Sequence, residues 1–292
     1  MGYFKLAIII SVLALTACAS YPFKLTSPNQ NVEEQGRSVN EDYLLGQSYY
    51  YGRDGDKNLD AARYWYHRAA AYGHLNAQFS MGVIAFSGSE INYAEARHWF
   101  LKASEQGHAK SQSNLGVIYS YGLGVEADDT KAIYWIKRAA DQHFANAQYN
   151  LGLMYELGQG VEESLVQAVH WYEQAAEQNL AIAQNDLAGF YSQGKGVSKD
   201  VEKAIYWYRR AAALGDQRAQ YNLGIAFLEG NGVSTNRKYA LNLFRQSARQ
   251  GYLKASQKLD QMNELLRVRV IEDVEIVNIQ FDEPELDEYQ LL

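Results

Sequence analysis

The sequence is poor in proline, cysteine and positive charge. Of its 292 residues only three are proline, at positions 22, 28 and 284, and one is cysteine. Because proline interrupts helices, its absence from the long central stretch favours continuous helices there. A single cysteine excludes an intramolecular disulfide. The formal net charge of −7 argues against nucleic-acid binding, which requires a basic surface.

Residue patterns that carry chemistry are also scarce. The six histidines form no His-x-x-x-His pair and no cluster with cysteine, as a zinc site would require (positions 67, 74, 98, 108, 143 and 170). No Gly-x-Ser-x-Gly nucleophile motif occurs. We therefore predict no catalytic residue, no metal ligand and no cofactor.

A unit of about 36 residues recurs along the chain. Four Gly-x-Gly-Val motifs start 36 residues apart, at Gly122, Gly158, Gly194 and Gly230. Four tryptophans keep the same interval, at positions 99, 135, 171 and 207. A fixed period in this range indicates a solenoid of helical hairpins, and a repeated glycine motif indicates a turn. We place six units at about residues 43–78, 79–112, 113–148, 149–184, 185–220 and 221–256.

Start and stop signals recur with the same period. Good N-cap residues mark the start of the second helix in every unit: Asn58, Asn92, Asp128, Ser164, Asp200 and Asn236. Residues that tolerate the left-handed conformation mark its end: Gly73, Gly107, His143, Asn179, Gly215 and Gly251. Each unit is therefore predicted to be a helix–turn–helix.

The repeated pattern resembles a known family. Ala-x-x-x-Leu-Gly-x-x-Tyr-x-x-Gly-x-Gly-Val followed by Lys-Ala-x-x-Trp-Tyr-x-x-Ala-Ala is similar to the Sel-1-like repeat, a tetratricopeptide-type unit, from about Tyr43 to Leu266. The resemblance implies an all-α protein, a right-handed α-solenoid of about six 36-residue helix–turn–helix repeats within residues 41–267. It also implies a scaffold that binds proteins. We expect a capping helix at Lys254–Leu266 to close the solenoid.

The first 17 residues predict a signal peptide. Lys5 precedes an apolar run, Leu6–Leu15, which is too short to span a bilayer as a helix. The end of this stretch, Leu15-Thr16-Ala17-Cys18, resembles a bacterial lipobox. That resemblance implies cleavage before Cys18, lipidation of Cys18 with acyl chains such as palmitate, and, because Ala19 follows, the outer membrane facing the periplasm. The alternatives are an ordinary secretory signal with an incidental cysteine or an uncleaved anchor.

Two further segments flank the repeats. Residues 18–40 contain Pro22 and Pro28 among polar residues and predict a flexible tether. Residues 268–292 form an acidic tail with eight carboxylates against Arg269 alone. Its first part, Val268–Phe281, is rich in β-branched residues and is interpreted as a short extended segment, which packs on the solenoid or joins a partner's sheet. The alternative is a solvated, partly disordered tail.

A polar position recurs just before the Leu-Gly pair. It holds Asn114, Asn150, Asp186 and Asn222. In tetratricopeptide proteins the corresponding helix face lines a concave groove, so the resemblance implies that these residues contact a bound peptide. The alternative is structural, with each side chain bonded to a neighbouring helix or loop.

The repeated tryptophans and tyrosines allow two interpretations. Carbohydrate stacking is one, but their strict period beside Ala-Ala pairs favours packing between helices. We therefore predict a lipid-anchored envelope scaffold that binds protein partners and is not an enzyme. The alternatives are an accessory subunit of an envelope machine (secretion, polysaccharide export or a flagellar motor) and a cell-wall-active hydrolase.

Overall fold

The computed structural model describes residues 36–53, 55–87 and 91–264, which form thirteen helices and no strand. The predicted signal peptide, Cys18 and the extended tail lie outside these residues. The helices are α1 (Val39–Tyr51), α2 (Leu59–Ala71), α3 (Leu75–Ser87), α4 (Tyr93–Glu105), α5 (Ala109–Tyr121), α6 (Asp129–Ala140), α7 (Ala145–Leu157), α8 (Leu165–Glu177), α9 (Ala181–Gln193), α10 (Val201–Ala213), α11 (Gln217–Glu229), α12 (Arg237–Arg249) and α13 (253–264).

The chain divides into two compact units. The first, Met1–Lys199, holds α1 to α9, and within it each helix from α1 to α8 packs against the next one along the chain. The second, Asp200–Leu292, holds α10 to α13, with α11 packed against both α10 and α12. Packing between consecutive helices, repeated along each of the two units, is the arrangement of a solenoid. The predicted all-α solenoid of helical hairpins is confirmed.

The recurring start signals are N-caps in the structure. The side chain of every predicted N-cap residue accepts a hydrogen bond from the backbone N–H three residues later, as Asp128 does from Lys131 at 2.9 Å. These bonds satisfy helical N–H groups that have no partner within the helix.

The recurring stop signals adopt the left-handed backbone. All six have positive φ, including the two non-glycine residues His143 (59°) and Asn179 (64°). The conformation reverses the chain between one hairpin and the next. The predicted helix ends are confirmed.

The second glycine of the Gly-x-Gly turn is required for a steric reason. Gly160 has φ of 71°, and a Cβ placed on it would lie 2.6 Å from the carbonyl oxygen of Asp129 in α6. The loop of one repeat therefore touches the start of the second helix of the preceding repeat. No other residue allows that approach.

The Leu-Gly pair lets the two helices of a hairpin approach closely. A Cβ on Gly152 of α7 would lie 2.7 Å from the ring of Tyr172, a fully buried side chain of α8. Other hairpins have the same contact, between Gly46 and Tyr66, Gly82 and Phe100, and Gly224 and Phe244. The glycine is thus the socket into which the aromatic ring of the second helix packs.

Buried glutamines join consecutive repeats. The Gln112 side chain of α5 donates to the carbonyl of Ser104 at 3.0 Å and accepts from the side chain of Gln142 at 2.7 Å. The same pair of bonds recurs around Gln78, Gln148 and Gln220, whose side-chain donors are Gln106, Gln178 and Gln250. Because a buried amide without partners is costly, each pair specifies how its repeats stack.

The predicted aromatic core is correct for most but not all of the series. Trp65, Trp99, Trp207 and Tyr172 are buried. Tyr134 and Tyr206, however, are each 52% exposed. A residue directly before the tryptophan lies about 100° around the helix from it, so its side chain points outward. The core prediction is wrong for these two tyrosines.

Candidate functional site

The four predicted site residues occupy the same position in four helices. Each is the sixth residue of its helix: Asn114 in α5, Asn150 in α7 and Asp186 in α9 of the first unit, and Asn222 in α11 of the second. Asn114 and Asn150 are 1% and 0% exposed. Asp186 and Asn222 are partly exposed.

Asp186 has the best-defined surroundings of the four. One of its carboxylate oxygens accepts a hydrogen bond from the hydroxyl of Tyr149 at 2.8 Å, and the other accepts from the amide of Asn185 at 2.9 Å. Tyr149 belongs to α7 and Asp186 to α9, so this bond joins the first helices of two consecutive repeats. Asp186 is therefore held in place by its neighbours.

The burial of Asn114 and Asn150 bears on their role. Both side chains are removed from solvent and make contacts within the protein. This favours the structural alternative for these two residues. Contact of the four-residue row with a bound peptide stays a prediction, and Asp186 and Asn222 are the members that reach the surface.

A second repeated feature lies on the outward face of the second helices. In the first unit the residue before the tryptophan is exposed in three consecutive repeats, and we call His98, Tyr134 and His170 the aromatic ridge. Each ring meets the adjacent tryptophan edge-on, with centroids 4.9–5.2 Å apart. In the second unit Tyr206 has the same relation to Trp207.

Cations lie beside the aromatic ridge. The Lys102 ammonium is 5.1 Å from the centroid of the Trp99 ring, and the Arg138 guanidinium is 5.6 Å from that of Tyr134. The ridge therefore exposes aromatic rings and positive charge together. Tyrosine and arginine are among the residue types enriched in protein interfaces and their energetic centres.

The polar and titratable groups of the described residues were compared with the arrangements that metal binding and catalysis require. They include no group of three or more His, Cys, Asp and Glu that could hold a metal. Ser192 and Lys195 have Ser-x-x-Lys spacing, but the Ser192 hydroxyl donates to the carbonyl of Gly189 and Lys195 is exposed at the end of α9. Burial raises the pKa of Tyr172, and the neighbouring Glu156 carboxylate, which accepts a hydrogen bond from its hydroxyl at 2.6 Å, raises it further.

His108 has the most perturbed histidine pKa. Burial, with a smaller effect from the charge of Lys110, lowers it to about 4. The residue is the N-cap of α5: its Nδ1 accepts from the backbone N–H of Ser111 at 3.3 Å and lies 2.8 Å from the Ser111 hydroxyl. The neutral imidazole is thus a helix cap.

Sequence reasoning missed the glutamine pairs and the aromatic ridge. Three of the paired glutamines, Gln112, Gln148 and Gln220, were visible at multiples of 36 residues. Their period alone could not distinguish buried glutamine pairs from a row of glutamines on the surface. Of the ridge, Tyr134 was assigned to the core with the repeated tryptophans and tyrosines, and His98 and His170 were considered only as metal ligands.

Comparison with known proteins defines the family. The Sel1 repeat model matches six consecutive segments, residues 42–74, 75–108, 109–144, 145–180, 181–216 and 217–252. The chain belongs to the Sel1 repeat family. This family is a non-catalytic repeat scaffold, and its proteins typically mediate protein–protein interaction. A comparison with curated proteins found no match.

Two solved structures are similar to the chain. One is c5321, a protective antigen of uropathogenic Escherichia coli strains displaying an SLR fold, with 34% identity and a TM-score of 0.72 over 76% of this chain and 48% of that chain. The other is a Sel1 repeat protein from Oxalobacter formigenes, with 30% identity and a TM-score of 0.72 over 78% of this chain and 66% of that chain. The chain thus spans about half of the first relative and about two thirds of the second.

Proposed function

We propose that this protein is a lipid-anchored scaffold of the bacterial cell envelope, which binds protein partners through the surface of its repeats. The anchor is the lipidated Cys18, and the location is the periplasmic face of the outer membrane. The lipobox-like sequence before Cys18 supports the anchor. None of the helices in the described part has the length and apolar character needed to cross a bilayer.

The observation that carries partner binding is the aromatic ridge. His98, Tyr134 and His170 lie at the same position of α4, α6 and α8, and each ring meets the adjacent tryptophan edge-on. Side chains fixed on packed helices lose little conformational freedom when a partner docks. Asp186 and Asn222, the members of the row Asn114, Asn150, Asp186 and Asn222 that are partly exposed, are the other candidate contacts.

Site-specific crosslinking in cells tests this proposal. A photoreactive amino acid replaces Tyr134 on the ridge or Asp186 on α9, and a matched control replaces the exposed Lys195. We expect the same envelope protein to be captured from Tyr134 in independent experiments and not from Lys195. Capture from Asp186 alone would indicate that the partner binds at Asp186 and not at the aromatic ridge. No capture from either position would contradict binding through the repeats.

A truncated chain separates the repeats from the tail. The full-length protein is compared with a version that ends at Leu266, each with the photoreactive residue at position 134. Capture that survives truncation assigns binding to the repeat surface. Capture that requires the tail would assign it to residues 268–292 and leave the repeats as a spacer.

A further inference from the structure

The last helix of the sixth repeat has an unusual charge composition. α12, Arg237–Arg249, contains four cations and no acidic residue. Three of these cations, Lys238, Arg245 and Arg249, lie on the same side of the helix. Together with Asn242 they are spaced at intervals of four, three and four residues, the spacing of one helix face. All four are exposed, whereas the opposite side is buried. We call Lys238, Arg245 and Arg249 the cationic stripe.

The charge of the stripe is not compensated within the described part of the second unit. There Lys203 lies 4.0 Å from Asp200 and Arg218 lies 3.9 Å from Asp216, but no member of the stripe pairs with a carboxylate of the described residues. Residues 200–264 contain ten lysines and arginines against six acidic residues. The excess of positive charge is therefore concentrated on α12.

The opposite charge follows in the same chain. Five of the seven residues 282–288 are acidic: Asp282, Glu283, Glu285, Asp287 and Glu288. The stripe extends over about 17 Å at 1.5 Å per residue, and seven residues of chain span up to about 23 Å. The acidic segment is therefore long enough to lie along the whole stripe.

The chain between them is also long enough. Met262 of α13 belongs to the same hydrophobic core as Leu243 and Phe244 of α12, so the described part of the chain ends beside α12. From Glu264 to Asp282 the chain can span at most about 60 Å, against about 20 Å for the length of α12. Because the two groups are covalently linked, their effective concentration is high and weak attraction suffices.

We propose that residues 282–288 bind to the cationic stripe of α12 in the same molecule. Contacts of this kind between exposed charges are individually weak and are screened by salt, so the segment is released at high ionic strength. A more strongly acidic surface of a partner would displace it in the same way. The stripe is thus a site for an acidic peptide that the protein occupies with its own residues 282–288.

Carbodiimide crosslinking of the full chain tests this proposal, because the reagent joins carboxylates to lysine amines only where they are in contact. Lys238 is the reporter. We expect mass spectrometry to find Lys238 joined to residues 282–288 at low salt, and the product to be lost near 1 M salt, where the Debye length is about 3 Å. Absence of this product would overturn the proposal.

Charge variants make the test specific. Arg245→Gln with Arg249→Gln keeps the reporter and removes two cations of the stripe, and we expect the Lys238 product to fall about fivefold, as for the loss of two exposed ion pairs. Lys195→Gln with Lys199→Gln removes the same charge from an exposed loop and should leave the yield unchanged. An equal loss in both variants would overturn the proposal, because it would indicate a general charge effect.

Two further outcomes would assign the stripe to other occupants. A mixture of unlabelled and isotope-labelled protein that gives mixed products would indicate binding between two copies. Binding to phosphatidylglycerol vesicles in preference to phosphatidylcholine vesicles, abolished by Arg245→Gln with Arg249→Gln and found without the Lys238 product, would indicate a membrane surface. Either result overturns binding within one molecule.

Discussion

At the scale of single residues, repeats are joined by polar contacts that hydrophobicity alone does not provide. The buried amide of Gln112 uses both its ends: it donates to the carbonyl of Ser104 and accepts from Gln142, which lies at the end of the next second helix. Apolar packing tolerates small shifts in the register of two repeats, whereas these hydrogen bonds form in only one register. The glutamine pair therefore fixes the stacking that the alanine-rich core leaves adjustable.

Removal of one donor should be costly. In Gln142→Ala the Gln112 carbonyl oxygen stays buried without a donor, and we expect the free energy of unfolding to fall by about 1–3 kcal/mol. Urea denaturation followed by circular dichroism measures the change. Gln193→Ala, which replaces an exposed glutamine of α9, is the control and should change stability by less than about 0.5 kcal/mol. Equal effects of the two variants would contradict the proposed role.

The cap at His108 should make stability depend on pH. The pKa of His108 is about 4 in the folded protein against an ordinary 6.5, so between these values the unfolded chain binds the proton more readily. Stability is therefore highest above pH 6.5 and decreases as the pH falls towards 4. In His108→Asn the cap is kept without a titrating group, and we expect a smaller decrease in that window.

Chemical denaturation at several pH values provides the measurement. Carboxylates also titrate at the lower end of the window, so the quantity to compare is the difference between wild type and variant. His170→Asn, at an exposed position of α8, should retain the wild-type dependence. If His108→Asn also retains it, His108 is not the responsible group.

At the scale of the helices, close packing within a hairpin depends on a glycine facing a large ring. The Tyr172 ring fills the space that a side chain at position 152 would occupy. Its hydroxyl then donates to Glu156, one turn further along α7. The ring thus fixes both the distance between α7 and α8 and their relative position along the helix axes.

Gly152→Val should therefore destabilise the protein in spite of the better helix propensity of valine. Overpacking against the Tyr172 ring is expected to lower the free energy of unfolding by about 1–3 kcal/mol. The double variant with Tyr172→Ala provides the control, because the valine then enters the space that the ring vacates. We expect it to be more stable than the sum of the single effects, and strict additivity would exclude direct contact as the cause.

The sequence predicted the elements that act locally better than those that depend on neighbours. N-caps such as Asp128 and left-handed residues such as Asn179 are determined by a few adjacent bonds, and the structure has them where they were expected. Burial depends on what lies across the interface. For that reason the exposure of Tyr134 and the burial of Asn114 could not be predicted from the 36-residue period. The period shows that the same helix face recurs in each repeat but not whether that face is buried.

At the scale of the whole molecule, the proposed anchor and the repeats have separate roles. Cys18 lies outside the described residues, and the first described helix begins at Val39. The hydrophobic cores of the repeats consist of side chains from the repeats themselves. Attachment should therefore be removable without loss of the fold.

Cys18→Ala tests the anchor. Since acyl chains hold a protein at a bilayer by about 0.8 kcal/mol for each buried CH₂, we expect the wild type in the membrane fraction, labelled by radioactive palmitate. The variant should incorporate no label. Ala19→Ser is the control and should keep it. Palmitate incorporation into Cys18→Ala would contradict lipidation at this residue, and a wild type without label would contradict the lipoprotein assignment.

The loops have a further consequence for how such a protein changes over generations. Gly122 and Gly158 are 36 residues apart and both have φ of 64° at the end of a helix. A deletion that joins the chain after Gly122 to the chain after Gly158 therefore connects two segments that already point the same way, and a duplication does the same in reverse. Unequal recombination between repeats would therefore shorten or lengthen the protein by a whole hairpin and leave each turn intact.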